Sequence, residues 1–241
     1  MYLLKDETGI EDYKLYKNIL KQINLVNKRG FFESLFSKKI KIEEAKKLKY
    51  LWVSNCGEIN NLEFLRYFQS LKELNLSECE GIKDISGIRY LENLETLYIY
   101  DTNILDPSPI GEVTSLESFD YYVNESELNK NTTHNFDYLR TLHNLKNIDL
   151  CEGNISDVSF LLVHKNLKVL SLSDNPIENF SILSELSGLE ELAIDGCDLT
   201  SLDGIEKFSS LKRLYAYDNQ LDEEQKEYYR MVLSGLDKVE L

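Results

Sequence analysis

The stretch 167-LKVLSLSDNPI-177 contains the pattern on which the fold of this chain depends. Leu170 and Leu172 are two residues apart, so they point to the same side of an extended segment, and Leu167 precedes them. Asn175 follows where the chain must turn away, and its amide can both donate to and accept from backbone groups that the turn leaves without partners. The stretch therefore predicts a short strand that ends in a tight, polar turn.

The same pattern recurs from residue 48 to the end of the chain. The leading leucines of the copies are Leu48, Leu71, Leu94, Leu116, Leu145, Leu167, Leu189, Leu211 and Leu236. The steps between them are 23, 23, 22, 29, 22, 22, 22 and 25 residues. Between the strands, apolar residues fall every three positions, as in Ile177, Phe180 and Leu183, which favours 3₁₀-like or irregular return segments. Because so short a unit cannot bury its apolar residues alone, the pattern predicts a stacked solenoid with a parallel sheet.

The repeated phrase L-x-x-L-x-L-x-x-[N/C]-x-[I/L], over residues 48–241, resembles that of leucine-rich repeat proteins. The short unit, with continuations such as residues 81–86 and 154–158, is similar to the repeats of bacterial internalins and of a eukaryotic phosphatase-regulating subunit. The resemblance implies an α/β solenoid, a horseshoe or arc with a parallel β-sheet on the concave face and a 3₁₀ or irregular convex side. It does not specify a biological role, because such solenoids are scaffolds for many partners.

Three regions are predicted along the chain. Residues 1–47 form a helical N-terminal cap, residues 48–220 hold eight repeats, and residues 221–241 form a C-terminal cap of one helix and a final strand. The first cap contains an amphipathic helix that ends at Gly30, with apolar residues at Leu15, Ile19, Ile23 and Val26. In the second cap, we expect Tyr228, Met231 and Val232 to cover the last full repeat.

The charge of the chain is strongly acidic and unevenly distributed. There are 42 Asp and Glu residues against 27 Lys and Arg, a net charge of −15, and the first 50 residues carry +5 and the rest −20. Such a surface repels nucleic acid. No apolar run reaches the roughly 20 residues that span a bilayer, and no signal peptide is recognisable, so we expect a cytoplasmic protein and no membrane partner. The preference for Lys over Arg and the abundance of Asn and Ile point to a bacterial source.

The outward positions of the strands form the candidate binding surface. Four outward columns over eight repeats give 32 positions, of which ten are acidic, seven are aromatic and only Arg213 is basic. Exposed tyrosines and a tryptophan offer large, rigid contact area. Asp120 and Asp149 should be neighbours on adjacent strands, where like charges destabilise the sheet. The predicted partner-binding residues are Trp52, Tyr98, Tyr100, Asp120, Tyr122, Asp149, Glu152, Asp195, Tyr215, Tyr217 and Asp218.

These features predict a non-enzymatic, monomeric interaction module that binds a basic protein or peptide through an acidic and aromatic concave face. The alternative is a cytoplasmic inhibitor or immunity protein that neutralises a basic toxin or nuclease. The insertion at residues 125–135, in the long fourth repeat, is a second candidate surface or simply a tolerated loop.

Neither a catalytic nor a metal site is predicted. Cys56, Cys79 and Cys197 stand at the turn position of their repeats, where a thiol replaces Asn, so we expect them to be buried. Cys151 faces outward but has no histidine base nearby, and His164 is expected to be half exposed. The carboxylates of Asp120, Asp149 and Glu152 lack the loop spacing of dedicated calcium sites, and no cofactor motif occurs.

Overall fold

The computed structural model describes residues 46–53, 59–122 and 135–241. The predicted N-terminal cap helix, Cys56 and nearly all of the insertion at 125–135 lie outside these ranges. The chain divides into two compact units, Met1–Leu116 and Glu117–Leu241. The predicted divisions at residues 47 and 220 stay predictions.

The first unit contains three short parallel strands. They are β1 (Tyr50–Trp52), β2 (Glu73–Asn75) and β3 (Thr96–Tyr100). Leu51, Leu74 and Leu97 lie opposite one another in the sheet and are completely buried. The return segments are 3₁₀ helices at Glu63–Tyr67, Ser86–Tyr90 and Ser108–Glu112.

The second unit contains six parallel strands. They are β4 (Ser118–Tyr122), β5 (Asn147–Asp149), β6 (Val169–Ser171), β7 (Glu191–Ala193), β8 (Arg213–Tyr215) and β9 (Lys238–Glu240). Its 3₁₀ helices are Asp137–Thr141, Ser159–Val163, Phe180–Glu185 and Ile205–Lys207, and α1 spans Glu223–Val232. The predicted solenoid of parallel strands and 3₁₀ return segments is thus confirmed in each unit.

The turn after β6 is stabilised as the sequence indicates. The Asn175 amide donates to the carbonyls of Leu150 and Leu172 at 2.9 and 2.8 Å, and its oxygen accepts the Ile155 N–H at 2.9 Å. One side chain therefore satisfies backbone groups of two neighbouring repeats. Cys79 and Cys197 occupy the equivalent position and are fully buried, as predicted.

Helix α1 buries a different side from the one predicted. Tyr229 and Leu233 are buried, whereas Tyr228, Met231 and Val232 are exposed. The Tyr229 hydroxyl accepts the Leu202 N–H at 2.9 Å, a hydrogen bond that favours this orientation of the helix. At the start of the helix, Asp222 and Gln225 form a reciprocal capping box.

His164 also departs from the expectation, because it is 0% exposed rather than half exposed. It follows the 3₁₀ helix Ser159–Val163, at the position that Leu142 and Leu186 occupy in neighbouring repeats. Its Nδ1 lies 3.1 Å from the Leu142 carbonyl oxygen, and Nε2 has no hydrogen-bond partner. Burial lowers the pKa of His164 to about 4, so the ring is neutral at neutral pH.

Candidate binding surface

In the first unit, the outward residues of the strands form an aromatic face, which comprises Trp52, Tyr98 and Tyr100. Tyr98 and Tyr100 flank the buried Ile99 on β3, and their rings stack with centroids 6.3 Å apart. Trp52 is 40% exposed, and its indole N–H donates to the Glu73 carboxylate on the next strand. The alternation of the strand therefore places large aromatic side chains on the side away from the core.

In the second unit, the strand ends and the turns after them form an acidic face. Its members are Asp120, Tyr122, Asp149, Glu152, Asp174, Tyr217 and Asp218. Asp120 on β4 lies directly opposite Asp149 on β5, as predicted. The Tyr122 hydroxyl donates to Glu152 Oε2 at 3.2 Å. This hydrogen bond places the aromatic ring of Tyr122 beside the carboxylates of the acidic face.

Several acidic residues of both units stand in left-handed backbone conformation in the turn after a strand. Glu152, Asp174 and Asp218 have φ values of 54°, 59° and 54°, and Gly196 occupies the same position between the last two at 60°. Glu78 and Asp101 repeat the feature in the first unit. A left-handed residue with a Cβ is strained, although Asp tolerates it better than most. The sequence analysis identified these acids by column but not their backbone conformation.

Asp195 departs from the prediction of an outward, exposed acid. It is 9% exposed, Oδ1 accepts the Tyr217 N–H at 3.0 Å and Oδ2 accepts the Ser173 hydroxyl at 3.2 Å. Burial raises the pKa of Asp195, because it disfavours the charged form. This carboxylate supports the turn that carries Tyr217, and its role in partner binding stays a prediction.

Tyr215 and Tyr217 differ in their surroundings although they are two residues apart. The Lys238 Nζ atom lies 4.7 Å from the centroid of the Tyr215 ring, so this ring is already covered. Tyr217 is 48% exposed. The negative charge of Asp195 raises the pKa of Tyr217, and Asp218 and Asp174 add to the effect.

The sequence analysis missed a ladder of ion pairs at the opposite, N-terminal ends of the strands. The residues that follow the leading leucines include both Lys and Glu in different repeats, and this mixture of signs was the available signal. The pairs are Lys72–Glu95 (2.5 Å), Lys146–Glu117 (2.7 Å), Lys168–Glu190 (3.0 Å) and Lys212–Glu190 (2.6 Å). Hydrogen bonds from Lys212 and Lys168 lower the pKa of Glu190 to about 2.

Four carboxylates of the acidic face have no such partners among the residues that the structure describes. Among the described residues, no Lys or Arg forms an ion pair with Asp149, Glu152, Asp174 or Asp218. The outward Arg213 pairs instead with Glu191. In the second unit, the charges of Glu117 and Glu190 are therefore neutralised at the N-terminal ends of the strands, whereas Asp149, Glu152, Asp174 and Asp218 have no ion-pair partner among the described residues.

Cys151 is the outward-facing thiol that was considered as a nucleophile. The Cys151 Sγ lies 2.9 Å from the Ser171 hydroxyl, and burial together with Asp149 raises the pKa of the thiol to about 12. Cys151 is therefore protonated at neutral pH and a poor nucleophile. Within the described ranges, no three His, Cys, Asp or Glu side chains converge as metal ligands. Nor does any helix there have the length and apolar character needed to cross a bilayer.

Three solved structures with a similar fold are bacterial proteins. An internalin of Listeria monocytogenes, InlF, shares 22% identity at a TM-score of 0.66 over 82% of this chain and 55% of its own. Internalin C2 of the same organism shares 17% identity at a TM-score of 0.69, over 95% of this chain and 93% of its own. A leucine-rich repeat protein of Leptospira interrogans shares 22% identity at a TM-score of 0.59, over 82% of this chain and 62% of its own. This chain thus spans little more than half the length of InlF.

Family profiles recognise the repeats directly in the sequence. A profile described as "Leucine Rich repeats (2 copies)" matches residues 69–118, and one described as "Leucine Rich Repeat" matches residues 166–189. No curated protein matches the sequence significantly. Leucine-rich repeat proteins are generally protein-interaction modules with an extended binding surface. The profile matches, the parallel strands with 3₁₀ returns and the similar structures agree: this chain contains leucine-rich repeats and has the fold of leucine-rich repeat proteins.

Proposed function

We propose that this chain is a non-enzymatic interaction module that binds a basic protein, with the acidic face of the second unit as the main contact. The observation that carries the proposal is the separation of charge along the strands. Lysines at the N-terminal ends are paired with glutamates, whereas Asp149, Glu152, Asp174 and Asp218 have no basic partner among the described residues.

This distribution has a cost that a purely structural surface would not carry. The directly opposed pair Asp120 and Asp149 destabilises the sheet, and the left-handed acids add backbone strain. A field of uncompensated carboxylates attracts and orients a positively charged partner. The opposed carboxylates of Asp120 and Asp149 support a binding role for the acidic face, because they bring no benefit to the sheet itself.

The aromatic face of the first unit supports a protein partner over a small ion. Trp52, Tyr98 and Tyr100 offer wide, rigid area with polar tips, the composition of interface hot spots. An inhibitor or immunity protein against a basic toxin or nuclease is a narrower form of the same proposal. It would require the captured partner to lose its own activity on binding.

The test is capture of partners from a lysate by the immobilised chain, followed by measurement of the purified complex. In the face variant, Glu152→Gln, Asp174→Asn and Asp218→Asn remove three charges while Asn remains tolerated in the left-handed turn. We expect the affinity for a basic partner to fall about tenfold or more and its salt dependence to weaken.

The matched control removes the same number of charges elsewhere in the second unit. Glu178, Glu185 and Glu227 are exposed, and all three are changed to Gln. The control should bind like the original chain. Equal loss in both variants would mean that only net charge matters, and unchanged binding in the face variant would contradict the proposal.

A further inference from the structure

The end of the second unit already holds one cation against a tyrosine. Lys238 on β9 places its Nζ atom 4.7 Å from the ring centroid of Tyr215 on β8. The same ammonium lies 2.9 Å from Glu240 Oε1. A tyrosine face and a nearby carboxylate together form a binding arrangement for a primary ammonium group.

Tyr217 offers the same chemistry two residues further along the chain. Its side chain is 48% exposed, and no basic side chain of the described residues lies over its ring. Its own N–H is held by Asp195 Oδ1 at 3.0 Å, and its carbonyl accepts the Gly196 N–H at 3.0 Å. The backbone that carries the ring is therefore fixed at both of its polar groups.

Carboxylates are placed close to this ring by the repeat. Asp218 follows Tyr217 directly, and Asp174 stands one repeat before Gly196 in the same left-handed column. A Cβ atom on Gly196 would lie only 2.3 Å from Asp174 Oδ1, so the absence of a side chain at this glycine leaves the space that the carboxylate occupies. The glycine thus allows Asp174 to lie over the turn next to Tyr217.

We propose that the Tyr217 ring, with the carboxylates of Asp174 and Asp218, forms an anchoring site for one lysine or arginine side chain of a protein partner. In this site, a cationic side chain of the partner would lie over the Tyr217 ring and near a carboxylate, as Lys238 lies over the Tyr215 ring and near Glu240. This inference rests on the proposed function. It adds Tyr217 as the residue whose ring contacts one cationic side chain of the partner. A cation over an exposed aromatic ring contributes modestly, whereas flanking carboxylates add charge attraction.

The experiment uses the full chain and two blocked peptides, tetralysine and tetraarginine, with tetraglutamine as the uncharged control. Binding is measured by calorimetry at low salt, and the Tyr217 ring signals are followed by NMR. We expect Tyr217→Leu to weaken binding of the cationic peptides about two- to fivefold, since the aromatic face is lost. Tyr217→Phe retains the ring and should bind within about twofold of the original chain.

Two further variants distinguish binding of a cation at Tyr217 from the effect of losing any exposed charge or any exposed tyrosine. Asp218→Asn should also weaken binding, and its effect should be smaller in the Tyr217→Leu background because both residues contact the same cation. Tyr228→Leu changes an equally exposed tyrosine on α1 and should leave binding unchanged. The affinities of tetralysine and tetraarginine are then compared. Tighter binding of tetraarginine would show a preference for the planar guanidinium, and tighter binding of tetralysine a preference for the ammonium.

The results separate this inference from the proposed function. If Tyr217→Leu binds like the original chain while the face variant loses binding, the anchor is wrong and the acidic face stands. Equal loss in Tyr217→Phe and Tyr217→Leu would also overturn the anchor, because the hydroxyl and not the ring would then be responsible. If the cationic peptides bind no better than tetraglutamine, both proposals fail.

Discussion

Asp120 and Asp149 lie directly opposite each other on the neighbouring parallel strands β4 and β5. The two side chains are half-buried, so solvent screens their repulsion only in part. The Asp149 Oδ1 atom also accepts the Cys151 N–H at 3.2 Å, which holds this carboxylate at the end of its strand. The sheet therefore carries a like-charge pair at the β4–β5 end of the acidic face.

Replacement of Asp149 by Asn should stabilise the protein. The amide oxygen can still accept the Cys151 N–H, but the repulsion from Asp120 is removed, so the free energy of unfolding should rise by about 0.2–1 kcal/mol. Urea denaturation measures the change, which should shrink at high salt. Asp137→Asn is the control, because Asp137 is paired with Arg140 and its loss should not stabilise. A less stable Asp149→Asn protein would contradict this explanation.

His164 should make stability depend on pH. Its pKa is about 4 in the folded protein and 6.5 as the ordinary value, so below pH 6.5 the unfolded chain binds a proton that the folded chain does not. The free energy of unfolding should therefore fall as the pH decreases from 6.5 to about 4 and receive no further contribution from this residue below that. Urea denaturation across this range measures the slope.

The control for this effect is His164→Leu, which introduces the residue found at 142 and 186. It should be at least as stable as the original chain near neutral pH, because an unsatisfied buried Nε2 is removed. The additional fall in stability below pH 6.5 should disappear. An unchanged pH profile would mean that the pKa of His164 is the same in the folded and the unfolded protein.

Asn175 should be far more important for stability than an exposed asparagine. Asn175→Ala leaves the buried Leu150 carbonyl and Ile155 N–H without their side-chain partner and removes one of two side-chain hydrogen bonds to the Leu172 carbonyl, so we expect a loss of about 2–4 kcal/mol. Asn93→Ala removes one exposed hydrogen bond to the Gln69 carbonyl and should cost less than about 1 kcal/mol. Thermal and urea denaturation compare the two, and similar losses would refute the role of the turn asparagine.

Leu170 tests the register of the core. It is completely buried between Ile148 and Leu192 on the adjacent strands. Leu170→Ala should cost about 2–5 kcal/mol by leaving a cavity in the stack. Val169→Ala, one residue earlier on the outward side of β6, should cost less than about 1 kcal/mol. A change within error at Leu170 would contradict the assignment of inward and outward positions.

Most of the fold could be predicted because it depends on local spacing. The leucines two apart define one side of each strand, and the repeat interval pairs Leu170 with Ile148 and Leu192. The turn asparagines follow from the same logic, since any chain that turns there leaves polar backbone groups unpaired. The opposition of Asp120 and Asp149 also follows from register alone.

The errors concern side chains whose surroundings come from other repeats. The sequence of α1 offers two apolar stripes, and the hydrogen bond between Tyr229 and Leu202 favours the one that was not predicted. Asp195 occupies an outward column, yet the Tyr217 N–H and the Ser173 hydroxyl draw it into the turn. The position of a residue in the repeat predicts the side of the strand to which its side chain points. It does not predict whether residues of a neighbouring repeat bury that side chain.

The sequence by itself determined the leucine-rich repeat, the strand register and the surplus of acids and aromatics on one side of the strands, because these depend on intervals along the chain. Only the tertiary structure decided which charges remain uncompensated. Lys168 and Lys212 form ion pairs with Glu190 across adjacent strands. Among the described residues, no Lys or Arg side chain forms an ion pair with Asp174 or Asp218. Ion pairing depends on distances of a few ångströms between side chains of different repeats, and composition does not contain those distances.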